Sequence, residues 1–184
     1  MQIRDATRED LRFVASSICR IQDAHVDAYP HVYRPICIED AVEHVSLRLV
    51  APDCFIRVAE CDDDVAGFTI SEIHDIPQCF FKLRQRYLHV SQIEVHPDRR
   101  RSGVGAALVA DLDAIAERNT LDRIELNVSD FNSTASRFFA SHGFRRFGTR
   151  LVRTPSTKRW PADTKPPNGF VILSKIHYDE PGIQ

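Results

Sequence analysis

Hydrophobic residues change their spacing several times along this chain, and each change predicts an element. Leu11, Val14, Ile18 and Ile21 recur at helical intervals, and Thr7 with Asp10 has the form of a capping box that opens the helix. Ile38, Ala41, Val42, Val45 and Leu49 predict a second amphipathic helix, and the segment between, DAHVDAYPHVYRP (23–35), predicts an irregular aromatic loop. After a short extended start at Gln2–Asp5, strands are expected over Cys54–Cys61 and Val65–His74, joined by an acidic turn at Asp62, Asp63 and Asp64, with Gly67 marking a bulge. A third strand, Tyr87–Val95, ends before Pro97, and Val104, Leu108, Leu112 and Ile115 line a helix that starts from Gly103. Arg123–Val128 reads as a strand, and Ser133–Ser141 as a helix carrying Ala135, Phe138 and Phe139 on one side and closed by Gly143. Phe144–Arg153 and Phe170–His177 read as the last strands, on either side of the proline-rich stretch 154–169. The order β-α-α-β-β-β-α-β-α-β-β predicts an α+β (mixed α/β) domain rather than a doubly wound sheet.

Length and charge narrow the reading. The 184 residues suit one domain, 1–184, with a core of about 2–178 and 154–169 inserted between the final strands. Composition is that of a globular protein, 43% hydrophobic and 27% charged. The net charge of −2 supplies no whole-protein cationic field, so neither nucleic acid nor a membrane surface is an expected partner, despite the local cluster Arg99, Arg100 and Arg101. The five cysteines form no C-x-x-C pair and read as reduced thiols, while His25 and His31 lack a third ligand at metal-site spacing; no metal is expected. The charged N-terminus and the lack of a long apolar run make a cytoplasmic protein the expectation.

The chemistry is concentrated in IEVHPDRRRSGVGAAL, residues 93–108. Strand, proline, arginines and a glycine-spaced turn lead into a helix. Such a helix start offers unpaired N–H groups and the positive end of a dipole, which together capture anions such as a pyrophosphate. Gly103 and Gly105 lack the Cβ atoms that would obstruct approach, and Arg99, Arg100 and Arg101 add charge. The spacing is neither GxxxxGK[ST] nor GxGxxG, since Leu stands at 108.

Val95, Pro97, Arg100, Gly103 and Gly105 match V-x-P-x-x-R-x-x-G-x-G/A, which resembles motif A of the GNAT superfamily of acetyl-CoA-dependent N-acetyltransferases. Further on, Asn132, Ala135, Gly143 and Phe144 are similar to motif B of that superfamily. The resemblance implies a GNAT-like fold, in which a central, mostly antiparallel sheet is flanked by helices on both faces. That sheet would splay where the strand ending at Val95 parts from the strand ending at Val128. It implies acetyl-CoA in that notch as acyl donor. Ile93 and Val95 would pair with its pantetheine arm, Arg100, Arg101, Ser102, Gly103, Val104, Gly105 and Ala106 would surround the pyrophosphate, and Asn132 would face the cofactor. The implied reaction is acetyl transfer by direct attack of a primary amine, from a small molecule or a protein, and a homodimer is the implied assembly.

Two positions depart from the pattern. Phe139 stands where the family often has the tyrosine that protonates the leaving thiolate, and Asn127 stands where some relatives have an acid. A GNAT-like module that binds acyl-CoA without turnover is therefore the alternative. An alkylammonium acceptor with a pKa near 10.4 is only about one part in a few thousand free amine at pH 7, so a base is needed. Glu94 is the candidate, with His89 and Ser91 upstream able to order a water, and the N–H of Val95, at an expected β-bulge, would polarise the thioester carbonyl. The loop 23–35 and the segment before Tyr87 would frame the acceptor, with Asp23, Asp27, Tyr29 and Tyr33 reading either as amine ligands or as helix caps and packing residues. The segment 154–169, with Lys158, Arg159 and Trp160, stays open between a lid, a dimer contact and disorder.

Overall fold

The computed structural model describes residues 1–151. Five strands, β1 (Gln2–Asp5), β2 (Cys54–Cys61), β3 (Asp64–Ile76), β4 (Gln85–Val95) and β5 (Arg123–Leu126), form one sheet in the order β1-β2-β3-β4-β5. The first three pairings are antiparallel, and β5 runs parallel to β4. The parallel pair needs a crossover, which α3 (Val104–Arg118) provides. Helices α1 (Leu11–Ala28) and α2 (Ile38–Leu49) precede the hairpins, and α4 (Ser133–Ser141) follows β5.

Apolar residues cover the sheet from both sides. Val14, Ile18 and Ile21 of α1 and Ala41 and Val45 of α2 pack on Ile56, Val58, Phe68 and Ile70. On the other face Val104, Leu108, Leu112 and Ile115 of α3, with Ala135 and Phe139 of α4, pack on Ala59, Leu88, Val90 and Ile93. A sheet sandwiched in this way has its central strands buried on both faces, and burying each large side chain contributes roughly 1.5 to 3 kcal/mol. The mixed α/β architecture expected from the pattern is the one observed.

Local chemistry sets most boundaries, and some differ from the expectation. The Thr7–Asp10 capping box is present, but it closes a short 3-10 turn at Arg8–Asp10 ahead of α1. Helix α1 runs to Ala28, past the expected loop start at 23, because its buried face continues through Ile21, His25 and Ala28 at helical spacing. The β2–β3 turn uses left-handed Asp62 and Asp63, as a tight hairpin requires. The bulge expected at Gly67 lies beside it: Ala59 pairs with Gly67 and Glu60 with Val65, so Ala66 is the extra residue. Strand β5 stops at Leu126, short of Val128. Residues 144–151 are not a strand; Phe144 turns back onto Phe139 after Gly143, and Phe147 and Leu151 are exposed, so this run lacks the buried face that would hold it in a sheet. The expected strand 170–177 and the insertion 154–169 lie outside the described residues.

Candidate functional site

The pairing of β4 with β5 ends at Val90 with Leu126, while β4 continues to Val95. The strands therefore part at Val90, and over Ser91–Val95 the β5-side edge of β4 has no strand partner among the described residues. At that same point β4 bulges. Ile70 pairs with Gln92 and Ser71 with Val90, leaving Ser91 as the extra residue. The irregularity expected at Val95 thus lies four positions earlier by these pairings. Beyond it, the N–H of His96 donates to Ala66 O across β3 at 2.8 Å, so strand alternation turns the N–H and C=O groups of Ile93 and Val95 toward the open edge. The Val95 carbonyl there accepts from Arg100 Nε at 3.2 Å.

The start of α3 beside this edge has no side-chain cap. Arg101 and Gly103 take left-handed conformations, with φ of 64° and 89°, and bend the chain from strand into α3. Gly103 is the N-cap and has no side chain to offer the helix; the Ser102 hydroxyl donates instead to Arg99 O at 2.6 Å. The Ala107 N–H reaches Gly103 O at 3.0 Å, so the N–H groups of Val104, Gly105 and Ala106 precede the first intrahelical bond. A Cβ on Gly103 would meet nothing within 4 Å, which leaves the approach open. Gly105 has a different purpose from the one its spacing suggested: a Cβ there would stand 3.0 Å from Phe138 Cζ, so this glycine lets α4 pack closely on α3. Asn132 is 1% exposed and its Oδ1 accepts from the Ala135 N–H at 3.0 Å, making it the cap of α4.

Glu94 and Gln92 face the opposite side, toward α1 and α2. Glu94 is 4% exposed, and Oε2 accepts from Arg20 Nη2 of α1 at 3.0 Å. Ser91 and Gln92 both border a cavity of about 560 Å³ between α1, α2 and β4, because the bulge turns two successive residues to one side. Ser91 Oγ donates to Ile70 O at 3.2 Å and lies 3.5 Å from Arg48 Nη1, whose guanidinium also donates to Glu72. Asp23 and Asp27 sit on the exposed side of α1 and do not border this cavity. Tyr29 and Tyr33 pack around His25 and Phe131, with His25 to Tyr33 at 4.9 Å and Tyr29 to Phe131 at 5.6 Å. Phe139 is 3% exposed, wedged between Phe138 and Phe144. Arg20 and Gln92 escape a sequence reading, since a helix face shows which residues are buried but not which strand residue they meet. Among the described residues no cluster of His, Cys, Asp and Glu is arranged to hold a metal ion, and no helix is long and apolar enough to cross a membrane.

Two histidines on this side are held neutral. Burial, with His74 adding to it, lowers His89 to about 4. Burial also lowers His25, whose Nδ1 lies 3.0 Å from Ile21 O and so carries the proton, leaving Nε2 to accept from Ser129 Oγ at 3.4 Å. Both values lie below that of the unfolded chain, so the unfolded state takes up protons first as pH falls. Their stabilising contribution is complete above about pH 6.5 and is lost as pH drops toward about 4. The urea midpoint should therefore fall between about pH 7 and pH 5; a flat midpoint over that window contradicts the assignment.

Comparisons with known proteins give the family and the fold. The sequence profile of the acetyltransferase (GNAT) family matches residues 18–144, which include the β4 edge, the α3 start and α4. The BH1408 protein of Bacillus halodurans, as a tetramutant, superposes with a TM-score of 0.80 at 22% identity, over 84% of this chain and 100% of that one. A ribosomal-protein-alanine N-acetyltransferase from Brucella melitensis biovar Abortus 2308 gives 0.62 at 19% identity, over 84% and 99%. A predicted acetyltransferase with acetyl-CoA from Clostridium acetobutylicum gives 0.63 at 14% identity, over 83% and 95%. At these identities the superpositions speak for the fold, and the profile match over most of the chain carries the assignment: this protein belongs to the GNAT family of acetyltransferases.

Proposed function

We propose that the protein moves an acetyl group from acetyl-CoA to a primary amine of a small molecule or a protein, by direct attack. The observation that supports this is the uncapped start of α3 beside the open edge of β4. Phosphate would be held by the N–H groups from Arg101 to Ala106 with Arg100, and the pantetheine arm by the backbone of Ile93 and Val95. Asn132 serves by fixing the start of α4 against this site. Acetyl-CoA supplies the activated thioester. A C–N bond forms as the C–S bond breaks, and the amine proton passes to Glu94, whose Oε2 is oriented by Arg20. The backbone at the Ser91 bulge is the proposed donor to the carbonyl oxygen, and the thiolate, with an ordinary pKa of about 8.5, takes its proton from water.

Calorimetric titration with acetyl-CoA, CoA and ATP tests the cradle. Micromolar binding of both CoA species but not ATP is expected, and no binding of acetyl-CoA overturns the reading. Glu94→Gln should then lower kcat about a hundredfold with the acetyl-CoA Kd unchanged; unaltered turnover removes Glu94 as the base. The burial of Phe139 among phenylalanines favours a second reading, a module that binds acyl-CoA without turnover. Binding without transfer to any member of an amine panel would select it.

A further inference from the structure

The hairpin between β3 and β4 ends in a tip that the proposed transfer does not use. Strand pairing closes at Ile76 with Gln85, and a tighter closure follows where the Cys79 N–H donates to Lys82 O at 2.9 Å. Phe80 and Phe81 thus hold the centre of a tight turn, where turn geometry favours Gly, Asn, Asp or Pro. Packing does not account for them either: Phe80 is 101% exposed, Phe81 79% and Leu83 77%. Taking about 150 to 250 Å² for each ring and somewhat less for leucine, these side chains offer water roughly 500 Å² of apolar surface. That lies toward the upper end of apolar patches on monomers, and below the roughly 800 Å² per partner of a stable protein interface.

The charges around the tip point to one kind of partner. Lys82 is exposed between Phe81 and Leu83 and has no ion pair among the described residues. Arg84 and Arg86 share Asp75, at 2.6 and 3.3 Å, and no other acid occurs in 75–86, so three cations stand against one carboxylate. The net charge of −2, which argued against a membrane partner, hides this local balance. Asp62, Asp63 and Asp64 sit at the β2–β3 turn, at the opposite end of β3. The 13 residues of β3, at about 3.3 Å each, put those acids about 40 Å away, several times the screening length of about 8 Å at physiological salt. We propose that this tip docks into the interface of an anionic phospholipid bilayer. Phe80, Phe81 and Leu83 enter the acyl boundary, while Lys82, with Arg84 and Arg86 behind it, meets the headgroup phosphates. A convex apolar tip needs a partner that closes round it, and a fluid lipid surface does so without a shaped pocket.

Flotation of the full chain with unilamellar vesicles tests this, using phosphatidylcholine alone and phosphatidylcholine with roughly 30% phosphatidylserine. The chain should float with the anionic vesicles and be released as salt rises from about 0.1 to about 1 M. Phe80→Ser combined with Phe81→Ser should lower the partition coefficient about tenfold or more. Lys82→Gln should lower it about fivefold on anionic vesicles and leave it unchanged on neutral ones, the effect of one basic residue near a charged surface. Both variants should melt within a few degrees of the parent, because the replaced side chains are exposed. A parent that stays unbound to anionic vesicles overturns the inference, as does equal binding by the parent and the double serine variant. Two other occupants of the tip have their own signatures, and either overturns the inference. A second copy would give a dimer in light scattering that the double serine variant dissociates. Residues 152–184 of the same chain would leave the parent monomeric and lower the melting temperature of that variant by about 5 °C or more.

Discussion

Gly103→Asp should abolish measurable acetyl-CoA binding while leaving the protein folded. Gly103 has φ of 89° and open space around its missing Cβ, so an aspartate meets no clash and only the modest cost of a left-handed backbone, about 1 kcal/mol. That strain is the main cost to the fold, since the side chain stands in open space. Its carboxylate would stand in the open approach to the N–H groups of the first turn. A phosphate arriving there would lose those charge-assisted bonds, each worth about 1.5 to 3 kcal/mol, and meet a like charge. The expected loss is about a thousandfold in affinity, roughly 4 kcal/mol, with a melting temperature within a few degrees of the parent. Gly103→Ala, which adds no acceptor, should bind within about tenfold of the parent. If Gly103→Asp binds as the parent does, the α3 start is only a tight turn.

The second large effect is expected away from the ligand. In Gly67→Val the new Cβ would lie 2.7 Å from the carbonyl oxygen of Glu94, with Val104 Cγ1 at 3.2 Å and Leu108 Cδ1 at 3.3 Å behind it. The first obstacle is backbone, which cannot swing aside as a side chain does. Strand β4 must shift, or the pairing of Gly67 with Val95 and Phe68 with Glu94 must open. A destabilisation of about 3 kcal/mol or more follows, seen as a fall of roughly 6 to 12 °C in melting temperature. Since the displaced segment carries Ile93 and Val95, acetyl-CoA affinity should fall with it. An unchanged urea midpoint would mean that β3 and β4 have room to separate here.

Both predictions concern glycines, and they show where sequence reading reached and where it stopped. The spacing of Gly103 and Gly105 before an amphipathic helix located the start of α3, because helix-start chemistry is local and needs no knowledge of neighbours. The reason for Gly105 was not local: it depends on Phe138, which reaches α3 from another helix. The same divide separates helical faces, which periodicity made legible in α1, α2, α3 and α4, from the pairings those faces enter. Glu94 stood out as an acid on a strand, but its partner Arg20 lies 74 residues away in the chain, on a different element. Asp23 and Asp27 looked like loop residues because Pro30 and Pro35 follow, yet helix α1 extends through them to Ala28. The bulge at Ser91 left no trace in the alternation, since V-S-Q-I reads as an ordinary strand until its partners are known.

That one extra residue makes β4 a strand with two phases. Upstream, Leu88 and Val90 face α3; downstream, the parity is reversed and Ile93 takes over that side. Deleting Ser91 would merge the two phases into one uniform alternation with every neighbour still on its present side, Leu88, Val90 and Ile93 toward α3 and Gln92 and Glu94 toward α1 and α2. Such a deletion would remove the local kink and leave the facing of the strand intact, which separates what the bulge does from what its neighbours do. A residue inserted elsewhere in β4 with no bulge to absorb it is the opposite case, since it would turn every side chain beyond it to the other face.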